Sequence, residues 1–533
     1  MKFHRLLVLT VLVAALASCS LSPRGSWQNI KNDCFWDTAE GLPIYSQGGG
    51  IFVFPDPETG HDRYYWYGVE YQECEKYRNN PAATLPNATF KNVTCYSSDD
   101  LVNWHFEANV MTPKEAFSNG RRTWLGRLGV AYIKDVDKYA MVVQNGAVVM
   151  IALSDSPVGT FTEHQKIDMT SRIGTSNTGD QTVFTDPDTG ISYLICSYGK
   201  GRHHGYVAEI GLCDDGKVGL KTCVEVFKGA GREGNCMFKY NGRYYLCASD
   251  LYGWDSSHAY YLVADDIYGP YLPLNDMQVM PGCDQDYAHI SQTGFFYTLR
   301  GKKQETVIFC GDRWCDFAGH GLGYNQWVPL SFEKDGVTPH FNSLNSWDLN
   351  PVTGEWKVAD DNDYVINGSF EADRVLIPSA VKPRQDTLIG WNTRILEGSM
   401  VSADNPDSPH LNYFNTYEDR LEVVGEKSLL INDSLAFART VTQTLASTPE
   451  VPVPEGEYEL CCKTRNTGGF TNLEMFAESG GRRFSVSLPG PGDAWNEVRL
   501  PVVIDGISVC YGFAASGDPG AWCVIDDVSL VRK

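Results

Sequence analysis

Apolar residues in the first two thirds of the chain come in short runs rather than at helical spacing. Five such runs recur: Tyr64-Tyr-Trp-Tyr-Gly68, Tyr139-Ala-Met-Val-Val143, Ser192-Tyr-Leu-Ile-Cys196, Tyr244-Tyr-Leu-Cys247 and Thr306-Val-Ile-Phe-Cys310. Each follows Gly, Asp or Asn punctuation, the pattern of a strand leaving a tight turn. Asn241-Gly242, set between Met237-Phe-Lys-Tyr240 and Arg243-Tyr-Tyr-Leu246, predicts a hairpin. Spacings of roughly 50 to 75 residues leave room for one four-stranded unit per run. A second echo, Ser154-Asp-Ser-Pro-Val-Gly159, returns more loosely as Asp265-Asp-Ile-Tyr-Gly269. Five units ending near Trp356 predict an all-β chain whose residues 24–360 form a five-bladed β-propeller. A Greek-key sandwich with coincidental spacing is the competing arrangement.

After Asp360-Asp-Asn-Asp363 the pattern changes. Residues 363–533 alternate apolar and polar positions between Gly/Pro turns, which predicts a jelly-roll β-sandwich. At the other end, Lys2 and Arg5 precede an apolar run from Leu6 to Leu16 and then Leu16-Ala17-Ser18-Cys19. A basic start, a short apolar stretch and a small-residue junction describe a signal peptide over residues 1–19. The Leu-Ala-Ser-Cys ending resembles a bacterial lipobox, which implies a lipidated Cys19 and a protein anchored in the cell envelope, in the periplasm or on the outer-membrane surface. Membrane attachment is then expected only through that lipid.

The charge balance narrows the partners. Lys+Arg number 44 and Asp+Glu 66, a net charge of −22, which argues against nucleic-acid binding because phosphates demand a basic face. Of sixteen cysteines, removal of Cys19 leaves an odd number, so at least one thiol is free. Cys196, Cys236, Cys247 and Cys310 lie in apolar strand-like runs and read as small hydrophobes. Some disulfides are expected in an oxidising compartment. There is no Cys-x-x-Cys pair and no His-Glu-x-x-His, so no metal-dependent chemistry is expected.

Gly229-Ala-Gly-Arg-Glu-Gly234 matches the dinucleotide fingerprint in letters only, since a hairpin follows where a helix is needed. Glu233 itself opens the inner strand of a blade, and Asp180, in Thr178-Gly-Asp-Gln-Thr-Val-Phe184, opens the preceding one. Inner strand starts converge on a propeller's channel, so two carboxylates there could serve as a protonated acid and the charged neighbour that tunes it. Solvated turn residues are the alternative.

The segments from Gln47-Gly-Gly-Gly50 through Tyr96-Ser-Ser-Asp-Asp-Leu-Val-Asn-Trp104, Gly179-Asp-Gln-Thr-Val-Phe184, Glu233-Gly-Asn-Cys-Met-Phe-Lys-Tyr240, Ser291-Gln-Thr-Gly-Phe-Phe296, Gly311-Asp-Arg-Trp314 and Tyr324-Asn-Gln-Trp-Val-Pro-Leu330 resemble glycoside hydrolase family 43. The resemblance is to the branches related to exo-β-1,3-galactanases, and the sandwich is similar to carbohydrate-binding modules. The resemblance implies Glu233 as general acid, Asp180 as the residue that orients it, and Gln292 in the base role, through an imidic acid tautomer. It implies an inverting, exo-acting hydrolase that releases arabinofuranose, galactofuranose or β-galactose from arabinogalactan-type polysaccharide, with no required cofactor. A structural calcium ion in the channel or sandwich is compatible with it. The chain departs from the pattern in two places. Gln47 replaces a His, and Gly126-Arg127-Leu128-Gly129 replaces a Glu-Arg-Pro-Lys run.

Gln47, Glu70, Arg127, Trp254, Asp312, Arg313 and Trp314 are therefore candidate substrate contacts, with Glu70 and Asp286 as alternative bases. Trp124, Trp254 and Trp314 serve either as sugar platforms or as packing between blades. The alternative to hydrolysis is a glycan-binding lipoprotein on a degenerate propeller.

Overall fold

The computed structural model describes residues 26–533 except 81–84, 86, 118–119, 121–122, 177, 199–200, 254–255, 275, 316–319, 373–387, 399–409 and 413–427. Cys19 and the signal peptide, together with Trp254, lie outside the described residues. So does the side chain of Trp314, whose backbone continues a blade 5 strand.

Five antiparallel sheets follow one another along the chain, and each first strand lies against the first strands of the neighbouring blades, closing a ring. The first strands are Gln47–Pro55, Leu125–Ile133, Gln181–Thr185, Glu233–Tyr240 and Gln292–Arg300 in blades 1 to 5. Each apolar run of the sequence lies in the second strand of its blade, paired to the first. Such strands have sheets packed on both faces, so Tyr139–Val143 is buried at every position instead of alternating. Aromatic residues fill the taper between blades, with Trp36, Trp66, Trp104 and Trp327 clustered where blade 5 meets blade 1.

A small separate sheet pins the ends of the ring. Gln28–Lys31 pairs with Ser346–Leu349, which pairs in turn with Trp356–Val358. Asn32 donates its side-chain amide to the carbonyls of Trp327 and Leu344 at 2.8 and 2.7 Å.

Beyond residue 363, two five-stranded antiparallel sheets face one another as a sandwich. Its strands show the other burial pattern. Along Gly456–Asn466, buried and partly exposed positions alternate from Tyr458 onward, as expected when one face packs inward and the other meets water. The fourteen described cysteines are free thiols, Cys461 and Cys462 among them.

Four of the five first strands carry a bulge at their start: Gln47–Gly50, Leu125–Leu128, Glu233–Cys236 and Thr293–Phe295. A bulge leaves one residue unpaired and re-aims the side chains beside it. These irregular starts lie at one end of the ring. There the polar residues gather.

Candidate active site

Arg127, from the blade 2 bulge, is 3% exposed and sits at the centre of a cross-blade network. Its Nη1 donates to Asp312 Oδ2 at 3.1 Å, its Nη2 to Gln292 Oε1 at 2.8 Å, and its Nε lies 3.3 Å from Asp180 Oδ2. Guanidinium can only donate, so the Gln292 oxygen must face Arg127 and its amide nitrogen must face the other way. That nitrogen donates to Glu233 Oε1 at 2.8 Å. The second Glu233 oxygen accepts from Arg202 Nη1 at 2.6 Å, and the same Nη1 lies 3.7 Å from Asp180. Asp180 also accepts from the Gly234 N–H at 3.0 Å. Gly234 has φ +59°, and a Cβ there would lie 2.6 Å from the Thr293 carbonyl oxygen, so only glycine delivers that N–H.

Two cations thus face three carboxyl groups. Three charged acids would leave one negative charge in excess. Burial raises Asp312 even against the Arg127 charge, and it raises Glu233 as well. For Glu233 burial comes first, the Asp180 charge adds to the effect, and the net result is a pKa of about 8. Burial also acts on Asp180, but Arg127 and Arg202 outweigh it and hold that carboxylate below its ordinary value. Two neighbouring carboxyls pushed apart in this way supply an acid and a charged partner near neutral pH.

A family model for glycosyl hydrolases family 43 matches residues 54–317, which spans the ring from blade 1 to blade 5 and includes Asp180, Glu233 and Gln292. The propeller belongs to glycosyl hydrolase family 43. The chain is a glycosidase, and the fold is that of solved family neighbours. A glutamate-to-glutamine variant of exo-β-1,3-galactanase from Phanerochaete chrysosporium, solved with β-1,3-galactotriose, is 18% identical with a TM-score of 0.52, covering 94% of this chain and 99% of that one. An exo-β-1,3-galactanase from Clostridium thermocellum is 19% identical at the same TM-score, covering 94% of this chain and 100% of that one. No curated protein matches the chain in sequence.

In this family 43 site the structure brings together Asp180, Glu233, Gln292, Arg127 and Asp312. Gln47 stands at the start of the blade 1 strand, 4% exposed, and both its amide atoms lack a hydrogen-bond partner. Beside it, the Gly48 N–H donates to Asp312 at 3.2 Å.

Two candidates face elsewhere. Successive side chains on a strand point to opposite faces, so while Tyr71 reaches the Leu125 carbonyl of blade 2, Glu70 accepts from Lys91 and Asn92 on its own blade. Likewise Asp312 meets Arg127, whereas Arg313 turns toward Asp33 at 3.6 Å. Asp286 is not placed as a base either. It accepts from the His289 N–H and from Ser343, well inside a turn of its own.

Trp124 is 41% exposed, and its ring lies over Gly126, where a Cβ would sit 1.9 Å from ring carbon. The glycine that departs from the galactanase pattern is therefore what lets this ring lie against the backbone beside Arg127.

The 2.8 Å contact between Gln292 and Glu233 is far shorter than the roughly 6.5–9.5 Å that brackets a sugar and its attacking water in an inverting site. Gln292 must release Glu233 before it can act across a sugar.

Sequence reasoning missed Arg202. It lies in the loop after the second strand of blade 3, with φ +45°, and only its place between Gly201 and His203 marks a tight turn near the start of that blade. Among the described residues, no group of three or more His, Cys, Asp or Glu side chains is arranged to hold a metal ion.

Proposed function

We propose that the chain is an exo-acting, inverting glycosidase that removes terminal β-galactose from β-1,3-linked galactan of arabinogalactan-type polysaccharide, working from a lipid anchor at Cys19. The observation that carries this reading is the buried Glu233 carboxyl, held by Gln292 and Arg202, with Asp180 on the same Arg202 nitrogen. The likeness to galactanases along both domains supports the choice of sugar.

In this scheme the entering sugar takes the place of the Gln292 amide at Glu233. Glu233 donates its proton to the glycosidic oxygen as that bond breaks, and the resulting carboxylate keeps its hydrogen bond from Arg202. Water attacks the anomeric carbon from the opposite face and gives up its proton to solvent as the new bond forms. Gln292, still held through its oxygen by Arg127, orients that water. Gln47, with its unpartnered buried amide, meets a sugar hydroxyl, and Trp124 offers an aromatic face to the next residue of the chain.

Wild type and Glu233→Gln should be assayed on β-1,3-galactan and on aryl β-galactoside, α-arabinofuranoside and galactofuranoside. Galactose released first as the α-anomer by wild type, and lost in the variant, is the expected result. Release of arabinose or galactofuranose alone would overturn the sugar, and release of nothing would overturn the activity.

One observation favours a second reading, glycan binding without hydrolysis. Gln47 and Gln292, at the starts of the blade 1 and blade 5 inner strands, are both amides rather than carboxylates. Binding of galactan by both proteins with no product from either would establish it.

A further inference from the structure

Gln292 is presented by an unusual piece of backbone. Tyr287, Ala288, His289 and Ile290 have φ of 50°, 55°, 56° and 52°, a complete left-handed turn made without a single glycine or asparagine. L-residues avoid this region because Cβ crowds the carbonyl oxygen, so such a turn persists only where its surroundings over-determine it. Two sets of contacts do so here.

The first is a buried polar cluster. His289 Nδ1 lies 2.6 Å from Ser343 Oγ and its Nε2 3.1 Å from Asp33 Oδ2. Asp33 is held in turn by Gln326 and Asn345, and Asp286 caps the turn through the His289 N–H. The second set comes from the other domain. Tyr287 and Ile290 pack against Ala372 and Ile389 of the sandwich. Ser256 donates to the Ala372 carbonyl at 3.4 Å, and Gly390 comes so close to the Gln285 carbonyl oxygen that a Cβ would lie 2.8 Å from it.

The turn ends where the site begins. Ser291 N–H donates to the Tyr287 carbonyl, Ser291 Oγ to the Ala288 carbonyl, and the next residue is Gln292.

We propose that the sandwich is a brace for the active site: together with His289 it locks the left-handed turn and so fixes Gln292 against Arg127, the contact it keeps when it releases Glu233. His289 is then a positioning residue that never touches substrate, and the two domains form one functional unit. The kinetic part rests on the glycosidase reading above. The structural part does not.

The test compares full-length His289→Ala, His289→Gln and the sandwich variant Ile389→Ser, by crystal structure and by kinetics on β-1,3-galactan. His289→Ala should lengthen the Gln292–Arg127 contact beyond hydrogen-bond reach. It should lower kcat by about 10- to 100-fold, the order of loss for a misplaced catalytic group, while KM stays within about threefold. His289→Gln, which keeps a donor and an acceptor, should restore most of the rate. Ile389→Ser should act in the same direction although it lies in the other domain. If His289→Ala fails to fold, the other two variants decide.

Crystal structures in which Gln292 keeps its place in His289→Ala, or in Ile389→Ser, would overturn the brace. So would a KM rise at constant kcat. A wild type that releases no sugar would overturn the proposed function instead, and the Gln292 geometry of the variants would still decide the brace.

Discussion

Replacing Asp180 by Asn removes one negative charge beside the acid and preserves the shape of the side chain. Glu233 stands at about 8 first because burial disfavours its anion and second because Asp180 is charged. The two groups share Arg202 Nη1, at 2.6 Å from Glu233 and 3.7 Å from Asp180. At a separation of about 5 Å and an effective dielectric constant near 20, unit charges repel by roughly 3 kcal/mol. That energy corresponds to about 2 pKa units. In the variant the burial contribution persists, so Glu233 should titrate near 6, about 2 units below its value in the wild type. The basic limb of the kcat/KM profile, which reports the free enzyme's acid, should move down by the same amount. At pH 7 the protonated fraction would fall about tenfold, while at pH 5 the two proteins should differ far less. Steady-state kinetics on a soluble galactoside from pH 4 to 10 measures this directly. A limb that stays near 8, or a rate lost equally at every pH, would refute the claim that the charge of Asp180 keeps the proton on Glu233.

Glu233→Gln should be more stable than wild type at high pH. The folded carboxyl is raised from 4.5 to about 8, so its contribution to stability is complete below pH 4.5 and is lost as pH rises through 8. Thermal melts should coincide near pH 5 and separate at pH 9, with the variant ahead by roughly 2–4 kcal/mol. Arg127→Lys offers one point charge to three partners and leaves buried carboxylates undersupplied, so urea denaturation should show a loss of about 3 kcal/mol, with no measurable turnover. Gln47→Met removes a buried amide without partners, which should raise the stability of the ligand-free protein by about 1 kcal/mol. The same variant should raise KM, because the amide is placed to meet a sugar hydroxyl.

Much of the architecture was legible before any coordinates. The five apolar runs are the second strands of five blades, because tight turns must precede strands that are buried on both faces. The change to alternation after residue 363 marks the sandwich for the complementary reason, one wet face. Glu233 and Asp180 were legible too, since each sits at the start of an inner strand. What joins them was not. The Arg127–Gln292 hydrogen bond links residues 165 apart, and no local pattern announces it. Strand alternation separated Asp312 from Arg313, and Tyr71 from Glu70, once the register was known. The left-handed turn at Tyr287–Ile290 carries none of the Gly or Asn residues that normally signal positive φ.

The three-stranded sheet at the ring's seam also sets an order of events. Ile30 pairs with Trp347, so a strand that precedes all five blades in sequence finds its partner only after every blade has been synthesised. Until then, the first and last blades expose tryptophan-lined flanks to chaperones and to other chains. Closure joins residues 317 apart in sequence, the kind of non-local pairing that slows folding. Deleting residues 26–32 would leave the blades able to form and unable to latch, a protein ready to exchange its ends with a neighbour.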